Sequence, residues 1–93
     1  MNTYEMMLVL PGKATTAKLK SAKEKIGKII STLTGKIIKI QEWGKKDLAY
    51  KIKGNASGNF VLYNIELNPE GEKALREKLK MEEEIIRYLV IKK

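Results

Sequence analysis

At 93 residues, 43% apolar and 32% charged, the chain reads as one globular domain, 1–93, with room for a single modest core. It has neither cysteine nor histidine, which excludes disulfides, thiolate and imidazole metal ligands, cysteine nucleophiles and histidine acid/base catalysis together, and fits a reducing cytosol. The net charge of +8 is uneven: residues 13–53 carry twelve lysines against Glu24, Glu42 and Asp47, whereas residues 54–93 are balanced, so the first half offers a field suited to a polyanion.

Met1 to Leu10 contain Glu5 and lack both a basic leader and a small-residue cleavage site, so no signal peptide is expected. No apolar run approaches the roughly 20 residues of a membrane span. Tyr4 to Leu10 form a buried strand stopped by Pro11 and Gly12. Thr15 or Thr16 then offers a helix N-cap, and Leu19, Ala22, Ile26, Ile29, Ile30 and Leu33 recur at helical spacing as far as Gly35. These six make one core-facing stripe. Lys18, Lys20, Lys25 and Lys28 fall away from it onto a wet face, and Lys23 lies at its edge.

From Lys36 the apolar Ile38 and Ile40 alternate with Lys39 and Gln41, as in a half-buried strand, and Trp43 falls on the Lys39 side. Gly44 breaks the run, predicting one long kinked strand or a tight hairpin that presents Lys45 and Lys46 beside the indole. Leu48, Tyr50 and Ile52 resume the alternation on one face. Gly54 to Asn59 read as a polar loop, in which Asn55-Ala56-Ser57 matches a glycosylation acceptor by accident, there being no secretion signal. Phe60 to Leu67 is the next strand, with Val61, Tyr63, Ile65 and Leu67 forming an apolar side toward the helices. Asn68 and Pro69 open a second helix that buries Ala74, Leu75 and Leu79, with Glu70 and Glu72 near its positive end. Glu82, Glu83 and Glu84 read as a solvated turn rather than a metal site, and Ile85 to Ile91 as a last strand interrupted by Arg87.

The order strand, helix, strand, strand, helix, strand predicts an α+β, ferredoxin-like βαββαβ fold: a four-stranded antiparallel sheet with two helices on one face. The other face, or a strand edge carrying Trp43, is left free for RNA or protein. Nothing resembles a nucleophile with its base, a metal-ligand cluster or a phosphate loop, so no enzyme is expected; Glu42 and Asp47 sit among lysines and balance charge. An independent single-strand RNA-binding module shares this element order, and Phe60 to Tyr63 resemble the end of its motif. Upstream, Ala56 to Asn59 stand where a basic residue, Gly, an aromatic and a small residue are wanted.

Tyr4-Glu5, the run Glu42-Trp43-Gly44-Lys45-Lys46-Asp47-Leu48-Ala49-Tyr50-Lys51-Ile52, then Gly58 to Tyr63, and finally Ile86 to Lys92 closely resemble the bacterial small ribosomal subunit protein six family over essentially the whole chain. The resemblance implies a cytoplasmic protein of the small ribosomal subunit that binds the central domain of 16S ribosomal RNA together with small-subunit protein eighteen. It implies no catalysis, cofactor, membrane or small-molecule substrate. By position, Trp43, Gly44, Lys45, Lys46 and Tyr50 match the family's signature stretch, and Arg87 and Lys92 match basic positions on its last strand; these seven are the candidate RNA or partner contacts. Lys51 stands where the family commonly has Pro, adding a charge at the strand edge. Some members run on into an acidic or irregular tail, and no function of such a tail is expected here.

Overall fold

The computed structural model describes residues 1–52 and 54–93. Its elements are β1 (Asn2–Pro11), α1 (Thr16–Thr32), β2 (Lys36–Ile52), β3 (Asn55–Leu67), α2 (Pro69–Met81) and β4 (Arg87–Lys92). The strands pair antiparallel in the order β2-β3-β1-β4, so β1 and β3 are central and β2 and β4 are edges: the ferredoxin-like arrangement. No helix among the described residues is long and apolar enough to cross a membrane.

The core lies between the sheet and the helices. Tyr4, Met6, Leu8 and Leu10 alternate inward from β1, and Val61, Tyr63, Ile65 and Leu67 from β3, as the period of two dictates. Ala22, Ile26 and Ile30 come down from α1 and Leu75 and Leu79 from α2, with Leu19, Ile29 and Leu33 packed around them. Each large apolar side chain buried this way contributes about 1.5–3 kcal/mol against an exposed reference. The lysines Lys18, Lys20, Lys25 and Lys28 are exposed, as the helical stripe requires.

Thr15 is the α1 cap: its hydroxyl accepts from the Lys18 amide at 3.2 Å. The other end closes with Gly35 N–H donating to Ile30 C=O at 2.9 Å and Thr34 N–H to Ser31 C=O at 3.0 Å. The left-handed residue of this closure is Thr34, at φ 56°, not the glycine. Gly35 is needed for space instead, since a Cβ there would stand 2.8 Å from the Glu66 carbonyl oxygen and press into Leu67. Asn68 and Pro69 occupy the predicted start of α2, although the Asn68 side chain makes no capping bond. Arg76 fastens this helix to the sheet, donating to the Val90 carbonyl at 2.9 Å and to Glu72 at 3.2 Å.

Two expectations are corrected. Gly54 to Asn59 are not a loop: β3 begins at Asn55, and Ser57, Gly58 and Asn59 pair with Asp47, Lys46 and Lys45. Gly58 and Asn59 also pair across to Pro11 and Leu10 of β1. Turn-forming residues are held extended because partners on both sides satisfy their backbone groups, which outweighs local propensity. The last strand starts at Arg87 rather than Ile85, whose amide closes a turn onto the Glu82 carbonyl while its side chain stays in the core. Glu84, in the acidic turn, lies 3.7 Å from Lys25.

Candidate nucleic-acid interface

The stretch around Gly44 is a kinked strand, not a hairpin. Glu42 pairs with Val61 and Gly44 with Phe60, leaving Trp43 as an extra residue in a β-bulge. Gly44 has φ +83°, a backbone that L side chains rarely adopt, which is why a glycine stands beside the tryptophan. The bulge shifts the parity of the strand. In an unbroken strand, residues 43 and 46 would point to opposite faces, but here Trp43 and Lys46 meet, with the ammonium 5.4 Å from the ring centroid. Lys45, opposite Asn59, is on the helix side of the sheet; Lys46, opposite Gly58, is on the open side.

Only one of the two paired lysines therefore stands beside the indole. The basic positions of β4 divide in the same way: Arg87 pairs with Val9 on the open face, and Lys92 pairs with the buried Tyr4 on the helix side. Ile38 and Ile40 are exposed rather than half-buried. A second bulge separates the Ile37 and Lys39 pairings, and Ile37 is the residue packed against the core.

Beyond Gly44 the β2–β3 arm curls over the open face. Leu48 lines a shallow groove with Met7, Val9, Phe60, Arg87 and Leu89, residues from all four strands. Tyr50 reaches further, accepting a hydrogen bond from Arg87 at 3.3 Å although β3 and β1 lie between their strands. A third irregularity in the pairing, between Asp47 and Ile52, accompanies this curl. The side chain of Ile52, expected on the face of Leu48 and Tyr50, lies outside the described part of the chain. Of the seven candidate residues, Trp43, Gly44, Lys46, Tyr50 and Arg87 share the open face. Lys45 and Lys92 do not.

Leu48 carried no signal as a contributor, because alternation says which side of its own strand a residue takes and not where a curled arm lands. The face is apolar at its centre (Met7, Leu62, Phe60) and at its β4 edge, where Leu89 and Ile91 are 56% and 51% exposed. Trp43 and Tyr50 are 49% and 65% exposed. Glu42, the nearest carboxylate to the indole in sequence, is engaged on the helix side by Lys23 of α1.

Of the aromatics that would serve a single-strand RNA-binding module, one is withdrawn into the core and the other is partly covered on the open face. Tyr63 is 1% exposed in the core, and burial pushes its phenol up to about 12. Phe60 is half-buried beside Leu48.

The family described as Ribosomal protein S6 matches residues 3–92. The chain belongs to the ribosomal protein S6 family. Curated members named small ribosomal subunit protein bS6 agree: the protein of Rickettsia canadensis is 32% identical over 92 residues, covering 99% of this chain and 76% of that one. The protein of Caldanaerobacter subterraneus subsp. tengcongensis is also 32% identical, with 99% of this chain and 97% of that one covered. Among solved structures, the 30S ribosomal protein S6 of Thermotoga maritima superposes with a TM-score of 0.91 at 24% identity, covering 99% of this chain and 87% of that chain. The C-terminal domain of the MgtC protein from Mycobacterium tuberculosis superposes at 0.65 with 8% identity, over 100% of this chain and 88% of that one. The two superpositions show the fold. Membership in the ribosomal protein S6 family makes the role structural and non-enzymatic.

Proposed function

We propose that this chain is a structural protein of the small ribosomal subunit in the cytoplasm, where it binds the central domain of 16S ribosomal RNA jointly with small-subunit protein eighteen. The observation that carries the reading is the composition of the open sheet face. Exposed apolar side chains at Leu89 and Ile91 share one face of the sheet with cations at Arg87, on the same strand, and Lys46, on the opposite edge. Apolar side chains left exposed at a sheet edge suit a protein partner. Cations on the same face suit phosphates, where they give affinity through counterion release and little base selectivity. Selectivity then rests on RNA shape and on the partner, which is why joint binding fits this surface better than independent binding. Family membership, and the small-subunit names of the relatives, support the same assignment.

The test is binding of the purified chain to a central-domain fragment of small-subunit ribosomal RNA, with and without protein eighteen, at two salt concentrations. Tight, salt-sensitive binding that requires the partner is expected. Equal binding in its absence, or equal binding to unstructured RNA, would overturn the joint-binding reading.

A further inference from the structure

The bulge at Trp43 serves no core. In most strands an extra residue weakens the ladder, and an indole of this size is ordinarily used to fill space beneath a helix. Here the extra residue is the only tryptophan in the chain, it projects from the open face, and a glycine at φ +83° maintains the geometry that puts it there. One cation, Lys46, is held against the ring, and a second aromatic, Tyr50, lies on the same face with Arg87 bonded to its hydroxyl. Lys39 shares the open face and Lys51 is exposed on the curled arm; the open-face carboxylates lie further along the sheet, Glu5 in the row of Lys39 and Glu66 opposite Lys36, while Asp47, opposite Ser57, and Glu42, taken up by Lys23, are on the other side. An exposed ring with an adjoining cation matches what an unpaired nucleotide presents, a flat base joined to a phosphate.

We propose that Trp43 is a stacking platform for an unpaired RNA base, with Lys46, against the ring, placed to take the phosphate of that nucleotide. This deepens the ribosomal reading and rests on it, naming the class of RNA element contacted: a bulged or looped nucleotide rather than a paired stretch. It also moves single-strand recognition from the central strands to β2. On the central strands of this sheet Tyr63 points into the core and Phe60 lies beside Leu48. Stacking is tolerant of base identity, because every base has a π-face, so the platform adds affinity and position without a sequence code.

The experiment labels the full chain with 5-fluorotryptophan, so that Trp43 alone reports, and follows its fluorine resonance on adding protein eighteen and the central-domain RNA fragment. Binding constants are measured alongside for Trp43→Phe and Trp43→Leu, with thermal melts to check their folds. The expected result is a ring-current shift of the fluorine resonance that appears with RNA and not with protein eighteen alone. Trp43→Phe should bind within a few-fold of the parent and Trp43→Leu roughly 5-fold to 100-fold more weakly. Full joint binding with no RNA-dependent shift, or with Trp43→Leu binding as well as the parent, would overturn the platform and leave the ribosomal reading standing. Absence of joint binding by the parent chain would overturn both. If Trp43→Leu fails to fold, the parent's fluorine shift decides.

Discussion

Replacing Lys46 by Ala, and separately Lys45 by Ala, tests which face of the sheet meets RNA. The two residues are adjacent and both exposed, so sequence and net charge treat the substitutions alike. Register separates them: Lys46 pairs with Gly58 on the open face and Lys45 with Asn59 on the helix side. Removing one cation from a phosphate lowers the slope of log affinity against log salt by about 0.7–0.9, so between about 50 and 200 mM salt the affinity ratio changes about 3-fold for each phosphate released. Lys46→Ala should therefore flatten the salt dependence of joint RNA binding by about that factor, and Lys46→Ala combined with Arg87→Ala by about 10-fold, if their contributions add. Lys45→Ala should leave the slope near that of the parent. The assay is a filter-binding or anisotropy titration of the central-domain fragment at four salt concentrations, with protein eighteen saturating. A slope reduced as much by Lys45→Ala as by Lys46→Ala would refute approach from the open face.

Tyr63 gives the fold an alkaline limit. Its phenol is raised from 10.0 to about 12 by burial, so the folded state holds a proton that the unfolded state releases above pH 10. That contribution is whole below pH 10 and is lost as pH rises from 10 to 12, up to about 2.7 kcal/mol. Urea titrations of the parent and Tyr63→Phe across that range should show the difference; a gap independent of pH would count against it. Gly35→Ala should destabilise by about 1–3 kcal/mol, because the added methyl meets the Glu66 carbonyl, and an unchanged urea midpoint would mean the β2 start can give way. Thr34→Gly should stabilise by about 0.5–1 kcal/mol by relieving a left-handed threonine, partly offset by greater freedom of the unfolded chain. A lower melting temperature for that variant would show that the hydroxyl bond from Thr34 to the Leu33 carbonyl matters more than the backbone strain. Gly44→Ala places a side chain at φ +83° and should cost about 1–2 kcal/mol while displacing Trp43, so its RNA affinity should fall with its stability.

The element order, the inward faces of β1 and β3, and the apolar stripe of α1 were legible because each follows from a short period within one element. Apolar residues two apart in Val61 to Leu67, or three and four apart in Ala22 to Ile30, point one way whatever they pack against, and burial then selects that side. The Trp43 to Lys46 string was legible as a family signature, and the absence of histidine and cysteine closed off whole classes of chemistry without any geometry.

Other features depended on partners far away in the chain. Whether Trp43 and Lys46 share a face depends on where the extra residue falls against Phe60, and a glycine marks only that a break exists. Ser57 to Asn59 look like a loop until β1 and β2 claim their amides from both sides. Leu48 and Tyr50 reach β1 and β4 residues because a strand bent by successive bulges curls across its neighbours. Side-chain direction along one element is local, fixed by bond geometry over a few residues. Which directions meet is set by hydrogen-bond registration between segments tens of residues apart, and that is where the candidate site on this protein is assembled.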